Sequence, residues 1–362
     1  MRVFMLAQLR PESSYLKLLA EALRGQGIEV VFLPYYQRSR LFPLFVKLMR
    51  EPRRVDILHI HWIHPYVLGD RLYSSLLYAF QFLIDLLFSH WAGVKLVWTV
   101  HNQLSHNAKF PRLELWVRSR LSKLVDRLIL LNHSTLNSLA QDYGFNPAKA
   151  EIIPHGHYRN FYQPLIDRSL ARQALGLSQS GLVYLNLGIL KPYKGIENLL
   201  KAWPVNQAVS EGNTLLIAGK PYSQEYGLAL AKLTNGLNNI VLISEFVEDH
   251  KIHLFFSAAD VVVLPFDQIL NSGGLILAMS FGKPIIAPDL GGIAEQLGDA
   301  GKLLYNPSDP QELARMLEKS LQMDLLELGK LTAQACDRLD WSPIAEKTLQ
   351  VYQKSIKGGE RA

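Results

Sequence analysis

NSGGLILAMSFGKPIIAP, Asn271 to Pro288, is the stretch whose reading decides the fold. Ser272, Gly273 and Gly274 read as a turn with bare backbone N–H groups, since glycine lets a ligand approach the chain closely. Leu275 to Phe281 is apolar almost all round, which predicts one short buried helix. Gly282 is placed to end that helix and Pro284 stops it from continuing. Ile285 to Ala287 follow as an apolar run suited to a parallel strand covered on both faces. Turn, helix and strand in this order aim amides and the positive end of a helix dipole at one spot, which suits an anion such as a diphosphate. A plain buried helix behind a plain turn accounts for the same residues, so the surroundings must decide.

The surroundings repeat the alternation. Strands are expected at Leu182–Gly188, Leu215–Ala218, Ile240–Ile243 and Val261–Leu264, with helices at Ile196–Trp203, Gln224–Thr234 and Lys251–Ala258 between them. Nearer the N-terminus, Val3–Leu6, Glu29–Leu33, Asp56–His61, Val94–Val100, Asp126–Leu131 and Ala150–Ile153 read as strands, and Tyr15–Gly25, Leu113–Ser122 and Ser134–Tyr143 as helices. The segment His157 to Arg168 loses periodicity and carries Pro164, as a linker does. The expected fold class is α/β: two doubly wound, Rossmann-like domains, residues 1–162 and 163–340, facing a central cleft between their carboxyl edges. A last amphipathic helix, anchored by Trp341 and Tyr352, occupies residues 341–362.

The chain has 362 residues, enough for two cores, and 49% of them are hydrophobic against 19% charged, as in a folded globular protein. A net charge of +6 favours acidic partners such as phosphates or anionic lipid head groups. Nucleic acid is not expected, because no recognition motif is present and the basic residues do not interleave with aromatics along one segment. Cys336 is the single cysteine, which excludes a disulfide framework and fits a cytoplasmic setting. Met1 to Leu9 reads as a first strand, not a secretory leader.

Two segments bear on membranes. Residues 38–54 set Arg38, Arg40, Lys47, Arg50, Arg53 and Arg54 among apolar residues, a pattern able to lie on an anionic surface at the inner face of a cell membrane. A solvated helix with long basic side chains fits it as well. Leu72 to Gly93 approaches membrane-span length, but Gln81 and Asp85 interrupt it, so an interfacial apolar face is the expectation.

Histidines collect where strands end: His59, His61 and His64 after the third strand, His101 and His106 after the fourth, His155 after the sixth. No pair has metal-ligand spacing, so they are expected as sugar or phosphate contacts or as a general base. Ser13 and Ser14, in the loop after the first strand, are expected to cap a helix or touch a ligand.

Four segments carry a resemblance: LNLGILKPYKGIENLLKAW (Leu185–Trp203), SAADVVVLPF (Ser257–Phe266), SGGLILAMSFGKPIIAPDLGGIAEQL (Ser272–Leu297) and GKLLYNPSDPQELARML (Gly301–Leu317). In this order they resemble the GT-B fold glycosyltransferases of the group 1, or family-4, type, and DWSPIAEKTLQVY (Asp340–Tyr352) resembles that family's final helix, which crosses back to the first domain. The resemblance implies a nucleotide-diphosphate sugar as donor, bound by Gly188, Lys191, Lys194, Asn271, Ser272, Gly273 and Gly274, with no metal and no cofactor. It implies a lipid-linked or polysaccharide acceptor met by the first domain, with Ser13, His61, His106 and His155 as contacts, in exopolysaccharide or cell-envelope glycan synthesis. His101, in TVHN, matches the family histidine near the reacting sugar, and Lys194 would stabilise the leaving diphosphate. Two departures stand out. Ile269 and Leu277 occupy the places of the family's paired glutamates, and Ile189 replaces the usual arginine. Those losses keep open a second reading, a catalytically silent GT-B subunit partnering an active transferase. A phosphorylase or epimerase would keep the same cleft, but no segment marks a Schiff-base lysine.

Overall fold

The near-continuous apolar runs are buried on both faces, as strands between two helical layers must be. The computed structural model describes residues 1–7, 14–33, 42–105, 108–205, 212–237 and 239–358. These divide into two compact units, Met1–Gly156 with Asp340–Ala362, and His157–Leu339.

The first unit runs β1 (Arg2–Leu6), α1 (Ser14–Gly25), β2 (Glu29–Leu33), α2 (Pro43–Met49), β3 (Ile57–Ile60), α3 (His64–Val67), α4 (Leu72–Trp91), β4 (Lys95–Val100), α5 (Pro111–Leu124), β5 (Arg127–Leu130), α6 (Leu136–Tyr143) and β6 (Ala150–Ile152). Its sheet is wholly parallel, in the order β2-β1-β3-β4-β5-β6. The register sets Met5 beside His59 and His59 beside Val97, so a histidine sits in the middle of the sheet.

The second unit runs α7 (Arg168–Ala174), β7 (Val183–Leu187), α8 (Ile196–Val205), β8 (Thr214–Ala218), α9 (Gln224–Thr234), β9 (Ile240–Ile243), α10 (Ile252–Ala258), β10 (Val261–Val263), α11 (Gly273–Ser280), β11 (Ile285–Pro288), α12 (Ile293–Leu297), β12 (Leu304–Tyr305), α13 (Glu312–Ser320) and α14 (Leu325–Asp337). Its sheet order is β12-β11-β10-β7-β8-β9, again all parallel. A last helix, α15 (Trp341–Gly358), packs on the first unit: Trp341, Ile344, Ala345, Val351 and Tyr352 join one core with Val3, Met5, Leu16 and Leu19.

Three local expectations change. Gly273 and Gly274 are not a turn before the helix but its first helical residues, because the Ser272 side chain caps it one step earlier. The stretch expected as linker already holds the start of α7 at Arg168, where Asp167 accepts the N–H groups of Ser169 and Leu170. Asp85, which looked like an interruption, is fully buried on α4 and accepts the N–H groups of Leu44 and Phe45 at 2.9 and 2.7 Å. It thereby caps α2 from another element, just after Phe42 takes a left-handed conformation at φ 49°.

Candidate functional site

In each sheet the strand order reverses at one point, and open α/β sheets bind ligands at the carboxyl ends of the strands flanking such a point. In the second unit that point lies between β7 and β10. The loop after β7 carries Gly188 to Gly195, and the loop after β10 carries Leu264 to Ser272. Asp267 donates its N–H to the Tyr193 carbonyl at 3.0 Å, which ties the two loops together. Gly195 sits at φ +66°, and a Cβ there would lie 1.8 Å from the Pro265 carbonyl oxygen, so only glycine fits.

This close approach lays Lys194 across the neighbouring loop. Its ammonium is 4.7 Å from the centroid of the Phe266 ring and 5.7 Å from that of Tyr193. Lys194 is partly buried, and among the described residues no carboxylate pairs with it. Burial, reinforced by the charge of Lys191, lowers its pKa to about 8. Lys191 is half-buried at the start of the one-turn helix Pro192–Lys194. Gly188 directly follows β7 and donates its N–H to the Ala218 carbonyl at 3.0 Å.

The other loop delivers α11. Ser272 is buried, and its hydroxyl accepts the N–H of Leu275 at 3.0 Å; Asn271 precedes it, half-buried. The amides of Gly273 and Gly274 find no acceptor among the described residues, as first-turn positions leave them. A Cβ on Gly273 would meet only the Tyr158 hydroxyl, at 3.5 Å, and one on Gly274 only Ser272 and Leu264, at 3.7 and 3.8 Å. Packing within the protein therefore does not require glycine at either position. Bare backbone at a helix N-terminus, with an unpaired ammonium on the adjoining loop, is the chemistry of an anion site.

In the first unit the order reverses between β1 and β3. The loop after β1, including Ser13, and His106 lie outside the described residues. Around this point the sheet gathers aromatic rings. His59 is sealed between the Tyr352 hydroxyl on Nδ1 and the Thr99 hydroxyl on Nε2, both at 2.7 Å. Nδ1 of His61 faces Nε2 of His101 at 3.1 Å, and Trp62 stacks on His101 with centroids 4.2 Å apart. Tyr15 stands edge-on to His101 at 5.2 Å and tilts against His155 at 4.5 Å. His155 has its Nδ1 2.7 Å from the Gly156 carbonyl.

Burial is the leading cause that keeps these imidazoles neutral. It lowers His59 to about 3 and His155 to about 4, and it sets His61 and His101 well below their ordinary value with help from neighbouring histidines. Each neutral ring carries one N–H and their contact takes a single proton, so one of His61 Nδ1 and His101 Nε2 donates there and the other accepts. The loop beyond His101 is pinned by a buried ion pair. Glu114 accepts from Arg118 at 2.6 Å and from the N–H and hydroxyl of Ser105 at 2.8 Å, while Arg118 donates to the Asn102 carbonyl at 2.8 Å.

The sequence-derived donor residues thus fall on two loops of one switch point. His61, His101 and His155 gather in one cluster at the other, whereas His64 opens α3. Sequence reasoning missed Phe266, Tyr15, Trp62, Thr99 and Tyr352 as parts of these sites. The alternation of DILHIHW already sets His59 and His61 on one face, which was the available signal. Their hydroxyl and ring partners come from distant elements and leave no local mark.

The comparisons with known proteins bear on the fold and the family. The family of glycosyl transferases group 1 matches residues 167–335, and glycosyltransferase family 4 matches residues 13–157. A GDP-mannose:glycolipid 4-beta-D-mannosyltransferase of Xanthomonas campestris pv. campestris is 27% identical, over 91% of this chain and 88% of its own. A D-inositol 3-phosphate glycosyltransferase of Streptosporangium roseum is 24% identical, over 84% of this chain and 70% of its own. Among solved structures, Anabaena HepE in complex with UDP superposes with a TM-score of 0.75 at 18% identity, covering 98% of this chain and all of that one. With two Rossmann-like units, both family matches and full-length structural kinship, the chain belongs to the group 1 glycosyltransferases of GT-B fold.

Proposed function

We propose that this glycosyltransferase holds a nucleotide-diphosphate sugar on its second unit and passes the sugar to a lipid-linked or polysaccharide acceptor recognised by its first. One observation carries the reading. The bare amides of Gly273 and Gly274 and the unpaired ammonium of Lys194 occupy the two loops of a single switch point. Departure of a nucleoside diphosphate builds negative charge, and fixed donors in a partly dry site stabilise it without rearranging. With Lys191 nearby, cationic groups of the chain supply that charge compensation, so the proposed transfer runs without a metal and without a cofactor. Chelation with EDTA should leave the rate unchanged, and a rate restored only by added divalent cation would overturn that part.

His101 is proposed as the group beside the reacting sugar, with His61 and His155 as its neighbours. A neutral imidazole whose pKa is depressed is a weak base, which favours a hydrogen bond to a sugar hydroxyl over outright proton abstraction. The Xanthomonas relative, named for GDP-mannose and a glycolipid, supports a GDP-linked hexose and a lipid-linked acceptor here, in cell-envelope or exopolysaccharide synthesis on the cytoplasmic side of a membrane.

The test is a thermal-shift screen of the full chain against UDP, GDP, ADP, CMP and dTDP and their common sugar conjugates. A ligand bound only by the folded state at about a hundred times its Kd adds about 2.7 kcal/mol of stability, so one base should give a clear upward shift. Acceptor assays with that donor then name the product. If none of these nucleotides shifts the transition, the assignment of the second unit as donor domain fails.

A further inference from the structure

Helix α4 is the longest crossover of the first unit, and its composition is lopsided. Ala79, Phe82 and Leu86 face inward with Asp85, whose carboxylate is spent on α2. The opposite face carries Tyr73, Leu76, Leu77, Phe80, Ile84 and Trp91, all exposed, with Tyr73 at 79% and Trp91 at 71%. Such a continuous apolar stripe is more than scattered surface leucines. By length and hydropathy the helix could cross a bilayer, but it joins two neighbouring parallel strands and buries the face that carries Asp85 in the unit, so it can meet a membrane only side-on.

The borders of the stripe are basic. Arg71 precedes the first turn of α4, and Lys109 donates to the carbonyl of Asp70 beside it. Trp116 of α5 packs on Phe80 at 5.4 Å, with the Arg120 guanidinium 5.7 Å over its ring and Arg112 exposed on the same helix. At the far end, the Arg54 guanidinium is next to Gly93, just beyond Trp91. None of these five cations has a carboxylate partner among the described residues, and Asp70 is an acid at the same edge. Aromatic rings at both ends and a rim of mostly one sign match the layered chemistry of an anionic membrane surface: hydrocarbon under the stripe, phosphates along its edges. The basic segment expected from sequence contributes less. Arg38 and Arg40 lie outside the described residues, and Lys47 and Arg53 are paired with Glu51 and Glu29.

We infer that the exposed face of α4, rimmed by Arg71, Arg112 and Arg120, is the surface by which the first unit docks on an anionic lipid bilayer. This deepens the proposed use of a lipid-linked acceptor, yet its test does not depend on turnover. The full chain is sedimented with vesicles of phosphatidylcholine alone and of equimolar phosphatidylcholine and phosphatidylglycerol. Binding is expected to the mixed vesicles and to fall with added salt. The exposed double variant Leu77→Glu, Phe80→Glu should bind at least about tenfold more weakly, and Arg112→Glu, Arg120→Glu should do the same for the anionic lipid. Both variants should keep the thermal shift given by the nucleotide, which shows that they fold. Equal vesicle binding by wild type and the Leu77, Phe80 variant would overturn the assignment. So would a concentration-dependent dimer that this variant abolishes, since the face would then cover a second copy. Vesicle binding without any nucleotide shift would leave the docking surface standing and remove the donor-site reading instead.

Discussion

At the scale of the residue, Lys194 and Gly273 answer two different needs of the proposed donor site, one for charge and one for space. Replacing Lys194 by alanine removes the cation above Phe266, and the loss of one fixed donor to developing charge should lower kcat/KM by about a hundred to a thousandfold while the melting temperature holds. Full activity in that variant would refute the diphosphate role. The pH dependence has a definite sign. With its pKa lowered to about 8, Lys194 sheds its proton as pH rises through that value, so nucleoside diphosphate affinity should be flat from about pH 7, above the last phosphate ionisation, up to that value and fall by up to about tenfold per unit above it. Titration of Kd by calorimetry checks this. Gly273→Ala meets only an ordinary contact with Tyr158, so the fold should tolerate it, whereas nucleotide affinity should drop by about tenfold as the methyl group occupies the approach to the amides. Unaltered affinity would mean that nothing comes close to that helix end. The lysine and the glycines were legible as candidates because the argument for them is local chemistry; Phe266 was not, because its contact with Lys194 depends on a loop from another strand.

At the scale of the element, α2 and α4 behave as one unit. Asp85 reaches across to the first amides of α2, and Phe42 and Phe45 hold their rings 4.9 and 5.9 Å from Phe88. Asp85→Ala would strand those amides without their acceptor and should cost about 1–3 kcal/mol, seen in hydrogen exchange as early opening of residues 43–49 with the sheet strands still protected. Uniform protection in both proteins would show that the tether is idle. Sequence periodicity located most strands and helices to within a residue or two at their ends. It read Asp85 as an interruption because burial and partner cannot be seen along the chain.

At the scale of the whole molecule, the first unit is built from both ends of the sequence. The Trp341 ring fills the space left by Gly156, where a Cβ would lie 2.3 Å from it, and the Tyr352 hydroxyl closes on His59. Acid should therefore undo this unit through its histidines. His59 and His155 have folded-state pKa values of about 3 and 4, far below the unfolded value near 6.5. The unfolded chain thus binds protons that the native one refuses, and stability present above about pH 6.5 declines as the pH falls toward about 4. Each such group removes about 1.4 kcal/mol per pH unit inside its window. Hydrogen exchange followed down that range should show residues of the first unit opening before those of His157–Leu339. Simultaneous opening of both would contradict the account.

By itself the sequence determined the class of fold and the succession of most of its strands and helices, and it singled out the two loops proposed to bind the anion. Those rest on the period of apolar residues and on the backbone freedom of glycine, both of which are local. Tertiary structure alone decided that Gly273 and Gly274 open the helix instead of preceding it, and that Lys194 lies over Phe266. It also decided that four histidines share one dry cluster and that Asp85 turns inward to leave α4 an unbroken apolar face. Each of these depends on which distant group comes within a few ångströms, and burial, through desolvation, then fixes charge and partner.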